Sequence, residues 1–212
     1  MRNFFASLIM MLGLAAANAQ SVTVTQPNGG EVLYGCQNYL IKWNSSGVSN
    51  FWNIDYSLNG GSIWVSVASN LNITNGQYSW TVPMVASTNV LVRVLDYNAP
   101  SKRDSSNAPF TIQLPILVTS PNGGENWQGL SSKNITWTPA GTSGIFNISY
   151  STNNGGSWAS IATNIAANNY TWNPVANNPS TQALIRVQDA TTACQQDQSD
   201  LVFELSSTAN FE

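Results

Sequence analysis

Few side chains in this sequence can do chemistry. Its 212 residues hold no histidine and two cysteines, with 7 Lys+Arg against 10 Asp+Glu for a net charge of −3. Without imidazole there is no Ser-His-Asp or Cys-His machinery, no histidine-bearing zinc site and no imidazole general base. A glycosidase needs two carboxylates flanking one cleft, and no carboxylate pair here carries a local signature for that. There is no Asp-x-Asp-x-Asp run for calcium. Scattered basic residues in an acidic chain speak against nucleic acid as partner. The sequence is therefore expected to be no enzyme and to use no cofactor and no metal. What remains is Cys36 and Cys194, the arginines Arg93 and Arg186 set inside apolar runs, and 8 tryptophans.

The elements that must carry these residues are written twice, at an offset of roughly 94 residues. Thr25-Gln26-Pro27-Asn28-Gly29-Gly30-Glu31 returns as Thr119-Ser120-Pro121-Asn122-Gly123-Gly124-Glu125. Ile41-Lys42-Trp43 returns as Ile135-Thr136-Trp137, Ile54-Asp55-Tyr56-Ser57 as Ile148-Ser149-Tyr150-Ser151, and Tyr78-Ser79-Trp80 as Tyr170-Thr171-Trp172. Leu91 to Asp96 matches Leu184 to Asp189. The matches run in order across the whole unit, which marks a duplication.

Within each unit the apolar period is two. Val90, Val92 and Val94 share one strand face, as do Ala183, Ile185 and Val187. Turn residues punctuate at short intervals, and no segment beyond the first twenty residues carries a helical period with caps. This predicts an all-β fold of two tandem immunoglobulin- or fibronectin-III-like β-sandwiches, residues 20–114 and 115–206, arranged head to tail. The boundary is set at Leu114-Pro115, a linker so short that the domains should abut rather than swing.

The recurring residues then read mostly as scaffold. Pro-Asn-Gly-Gly-Glu would kink the first strand, its glycines permitting positive φ or a bulge. No helix and no P-loop Lys-Ser/Thr follows it, so it is no phosphate cradle. Glu31 or Glu125 is expected to pair with the local arginine as a structural ion pair. The segments Ser57 to Trp64 and Ser151 to Trp158 resemble the Asp-box hairpin of sialidases, with Asn in place of the Asp. In those families the box is a structural turn, and the arginine cluster and tyrosine nucleophile of a sialidase are missing here. Trp43, Trp137, Trp80 and Trp172 share faces with apolar neighbours and read as core. Trp64 and Trp158 are out of phase with theirs, so they either cap the hairpin or form the platform on which a sugar ring stacks. Trp52, Trp127 and Tyr97 join them as candidate exposed aromatics for a carbohydrate-binding module.

The cysteines occupy inequivalent positions: Cys36 aligns with Leu130, and Cys194 with the region of Ser101. Neither domain thus has the internal bridge of an antibody domain. Cys36 lies in the turn between the first two strands, at the pole where the chain leaves the first domain. Cys194 lies in the last hairpin of the second, at the pole where the chain comes in. With a one- or two-residue linker these poles face each other, which predicts an interdomain Cys36–Cys194 disulfide; two free or externally paired thiols are the alternative.

Met1 to Ala19 has a basic start at Arg2, an apolar run from Phe4 to Leu14 and an Ala-Asn-Ala end. That is the pattern of a secretory signal peptide, 1–19, and predicts an exported protein, secreted or held at the cell surface. No later segment reaches membrane length, so no membrane span is expected in the mature chain.

The run Val118 to Trp127, then Asn134-Ile135-Thr136-Trp137, then the Ser-x-Asn-x-Gly box, resembles the bacterial members of the Ser-Thr-rich, GPI-anchored protein family. That family is related to the N-terminal domain of the yeast cell-wall glucan-synthesis proteins. The resemblance implies a β-sandwich accessory module on exported proteins and carries no catalytic residues with it. The ending from Ser206 to Glu212, with residues 207–212 as a C-terminal tail or linker, resembles the linker that precedes the C-terminal sorting domain of type IX secretion cargo, which implies a Gram-negative source. The expected function is non-catalytic: adhesion, surface structure or spacing, with cell-surface polysaccharide or another surface protein as partner. A carbohydrate-binding module, or the accessory region of a larger exported hydrolase, is the alternative.

Overall fold

Alternating apolar and polar residues, cut by Gly, Pro and Asn turns, leave the chain one way to bury its apolar half: as strands with one face inward. The computed structural model describes residues 21–208, and none of them is helical. The expected signal peptide, 1–19, and most of the 207–212 tail lie outside the described residues.

The first nine strands are β1 (Ser21–Gln26), β2 (Val32–Tyr34), β3 (Asn38–Ser46), β4 (Phe51–Ser57), β5 (Val65–Asn72), β6 (Gln77–Thr81), β7 (Ser87–Asp96), β8 (Arg103–Ser105) and β9 (Phe110–Gln113). The second nine repeat them as β10 (Ile116–Ser120), β11 (Asn126–Gln128), β12 (Lys133–Pro139), β13 (Phe146–Ser151), β14 (Ala159–Ile165), β15 (Asn169–Trp172), β16 (Ser180–Asp189), β17 (Gln196–Gln198) and β18 (Phe203–Ser206). In the first half, a three-stranded sheet β1-β3-β6 faces a six-stranded one of order β2-β9-β7-β4-β5, with β8 hydrogen-bonded to β7. The second half has the same order, β10-β12-β15 over β11-β18-β16-β13-β14, with β17 on β16. The fold is thus two tandem immunoglobulin/fibronectin-III-like β-sandwiches, separated only by Leu114 and Pro115.

Each sandwich closes on its own apolar cluster, and the parity of the strands decides its members. Val90, Val92 and Val94 point inward from β7, and Ala183, Ile185 and Val187 do so from β16. Trp43 meets Trp52 edge-on with centroids 5.3 Å apart, and Trp137 meets Phe146 at 5.4 Å in the same place. Such pairs add about 0.5–1.5 kcal/mol to the burial of their rings. Trp52 and Trp127 belong to these cores, with 1% and 5% of their surface exposed, so neither is a surface platform. The reason is phase: Trp52 shares parity with Ile54 on β4, and Trp127 is the inward residue of three-residue β11, where the first domain has Leu33.

The Pro-Asn-Gly-Gly-Glu turn is built by its own glutamate. Glu31 accepts the N–H groups of Asn28 and Gly29 at 2.7 and 2.8 Å, and Glu125 those of Asn122 and Gly123 at the same distances. The carboxylate caps donors that the glycine backbone leaves exposed. It therefore does not reach the arginine, contrary to the pairing expected from sequence.

Candidate functional site

Two places gather the chain's chemically capable residues: the junction between the sandwiches and the outer face of each larger sheet. At the junction, the turn after β2 carries Cys36 in a left-handed conformation, φ 62, its N–H donated to the carbonyl of Val82. Leu130 takes the same conformation at φ 61 and donates to Val175, so the two turns superpose and only one holds sulfur. Opposite lies the β16–β17 hairpin, which carries Cys194. Cys36 and Cys194 form a disulfide with Cα atoms 6.0 Å apart, joining residues 158 apart in sequence. The separation is well inside what a disulfide requires.

Gln195 backs the bridge. Only 4% exposed, its amide Nε2 donates to the carbonyl of Gly35 in the first domain at 3.1 Å and to that of Gly141 in the second at 3.4 Å. The Tyr34 ring lies against Gly141 at positive φ, where a side chain would collide with it. The hairpin is itself held by Asp189. This carboxylate accepts the N–H of Ser143 at 2.6 Å, the N–H and hydroxyl of Thr191 at 2.8 and 2.7 Å, and the N–H of Thr192 at 2.9 Å. Burial pushes the carboxyl up, but the bonds from Ser143 and Thr191 outweigh it and bring the pKa down to about 2. Asp96 does the same work in the first domain: burial opposes ionisation, and donors from Ser49, Asn98 and Ala99 prevail, lowering its pKa.

The outer face holds the second group. The Asn-boxes behave as turns: Asn59 Oδ1 accepts the N–H of Ile63 at 2.9 Å, and Ser57 Oγ accepts those of Asn59 and Gly61. Asn153 and Ser151 repeat the pattern with Ser157 and Gly155. Each turn delivers its tryptophan onto the sheet. A Cβ at Gly61 would sit 3.3 Å from the Trp64 ring, and one at Gly155 3.6 Å from that of Trp158, so both indoles pack over their glycine. Each remains half-exposed.

Sequence reasoning missed what lies over these rings. The Arg93 guanidinium carbon stands 4.3 Å from the Trp64 ring centroid, and that of Arg186 4.3 Å from Trp158. The signal was present, since Arg and Trp recur together in both units, but nothing local links positions so far apart. The two corners differ in one partner. Arg93 donates to Asp55 Oδ2 through Nε at 3.2 Å and Nη2 at 2.7 Å, Asp55 being its cross-strand neighbour on β4. Arg186 faces Ser149 in the equivalent register. Among the described residues it has no ion pair, and its buried Nε has no hydrogen-bond partner. Burial without a counter-charge lowers its pKa. Tyr97, the remaining aromatic candidate, is exposed in the hairpin after β7.

No family model matches the chain, and no curated protein does. Among solved structures it is similar to fibronectin(III)-like modules of CbhA from Clostridium thermocellum, at 16% identity and TM-score 0.31, over 90% of this chain and 96% of that one. It is also similar to the I9-I11 tandem of titin, at 11% identity and TM-score 0.41, over 88% of this chain and 66% of that one. Tandem Ig repeats of Dlar match at 10% identity and TM-score 0.29, over 90% of this chain and 99% of that one. The described residues include no helix long and apolar enough to cross a membrane and no cluster of three or more metal-ligating side chains. A disulfide across the junction fits an oxidising setting.

Proposed function

We propose that this protein is an exported, non-catalytic two-domain module that holds a fixed geometry at or beyond the cell surface, as a spacer or an adhesion element. The observation that carries this reading is the junction: a two-residue linker, a disulfide across it, and a buried glutamine bonded to both domains. A bridge that ties two separately cored domains does little for either core and acts on the freedom between them. Persistence of such a bridge calls for an oxidising compartment. The signal-peptide pattern and the resemblance to exported accessory modules support the same setting.

The test is to locate the protein and its thiols in the cells that make it. Recovery outside the cytoplasm, with both cysteines resistant to alkylation until reduced, is the expected result. A cytoplasmic protein with two alkylatable thiols would overturn the reading.

A second reading, carbohydrate binding, is favoured by Trp158. This half-exposed ring lines two open clefts of about 200 and 240 Å³ on the outer sheet of the second domain. The larger is otherwise lined mainly by hydroxyls, amides and Arg186.

A further inference from the structure

The first domain neutralises its arginine and the second does not. Across the outer sheet of the first domain one row runs Ser66–Asp55–Arg93–Ser105, and the matching row of the second runs Ser160–Ser149–Arg186–Gln198. The acid of the first row has become a hydroxyl. The only acidic residue of β17, Asp197, sits opposite Val187 rather than Arg186, and its carboxylate accepts the Val118 N–H at 2.7 Å. A guanidinium fixed over an indole, with no acid against it, presents its Nη donors to the cleft as a charged set for a planar or tetrahedral anion, while the buried Nε stays unpartnered beneath them.

We propose that the second domain, through Arg186 beside Trp158, binds an anionic sugar unit, one that bears a carboxylate or sulfate. The inference deepens the carbohydrate-binding reading and rests on it. The cleft that holds the pair is walled by Asn147, Ser149, Ser160, Thr163 and Gln188. Amides and hydroxyls match the rim of a sugar ring, the indole holds the guanidinium and walls the cleft, and the arginine takes the charge. An acidic peptide would use the arginine but leave this polar rim with little to select. The first domain lacks the site because Asp55 already occupies its arginine.

The experiment is a calorimetric titration of the protein with oligosaccharides of polygalacturonate, with sulfated dextran fragments, with neutral dextran and mannan, and with poly-glutamate. Arg186→Gln, Ser149→Asp and Asp55→Ser proteins are run alongside, each checked to be fully folded at the titration temperature. Expected is saturable binding of one site per chain to a carboxylated or a sulfated glycan, whichever geometry fits, weakening as salt rises. Arg186→Gln and Ser149→Asp should each weaken it about tenfold or more, the usual scale of a lost charge-assisted hydrogen bond. Asp55→Ser should raise the stoichiometry from one site toward two. Ser149→Asp keeps the arginine in place, so the test survives even if Arg186→Gln fails to fold. Equal binding of neutral glycans, indifferent to all three changes, would overturn the inference and leave the carbohydrate reading standing. No binding to any glycan would overturn both. Poly-glutamate bound as tightly as the glycans, with the same sensitivities, would overturn the sugar assignment.

Discussion

Arg93 and Arg186 sit on the same strand of the same fold, each at 4.3 Å from the indole that its Asn-box turn supplies, yet one is salt-bridged and the other is not. Much of what places the two guanidinium groups is shared: the turn, the glycine under the ring and an inward apolar row, Val90, Val92 and Val94 in one strand and Ala183, Ile185 and Val187 in the other. What decides the ion pair is the residue across the ladder on β4 or β13, Asp55 against Ser149; on the other side Ser105 stands where the second domain has Gln198. Duplication has thus kept the scaffold and altered the charge of the arginine's cross-strand partner, where side chains on one face lie about 5 Å apart and interact most strongly.

If the scaffolds are equivalent, the largest effects should come in matched pairs. Ile54 and Ile148 occupy the same core position, fully buried in each domain. Ile54→Ala and Ile148→Ala should each cost about 2–5 kcal/mol by leaving a cavity. Hydrogen exchange should confine each loss to its own sandwich, and urea titration should give its size. A loss in one domain only would break the equivalence.

Acid should expose the next largest effect. The Asp189 pKa of about 2 lies below the ordinary carboxylate value of 3.8, so the unfolded chain binds the proton more readily. Its contribution, about 2 kcal/mol, is present above roughly pH 4 and is lost as pH falls toward 2. Denaturation curves at pH 5 and pH 2.5 should show this loss for the wild type. Asp189→Asn should be weaker at pH 5 and less sensitive to acid. Asp96, lowered in the same direction, gives the first domain the same sign of response.

The smallest effect concerns the pair that distinguishes the domains. Asp55 and Arg93 are partly open to solvent, so Asp55→Ser should cost no more than about 1 kcal/mol. Ser149→Asp should stabilise the second domain by a comparable or smaller amount, and both should shrink in high salt. A loss of several kcal/mol on Asp55→Ser would mean the ion pair holds the strand, and that the two scaffolds are not interchangeable.

Much of this was legible in the sequence because it lies in local periodicity. The valines of β7, the Asn-box turns and the inequivalence of Cys36 and Leu130 follow from spacing and register within a duplicated unit. The disulfide was legible because a very short linker forces two poles together. What escaped lies across strands. Trp52 and Trp127 needed the burial phase of their own strands, and short β11 gives too few residues to read one. Charge complementarity alone points Glu31 at an arginine because it ignores the nearer claim of two backbone N–H groups. The stacking of Arg93 on Trp64, and the ion pair with Asp55, depend on which residues of β4 and β7 stand opposite one another, and spacing within one strand does not encode that register.

Because the Cys36–Cys194 bridge and Gln195 close the junction, the two sandwiches should move as one body. Residual dipolar couplings measured on the oxidised protein decide this. A single alignment tensor should fit both domains, separating into two when Cys36→Ser is introduced together with Gln195→Ala. Two distinct tensors in the oxidised wild type would contradict it.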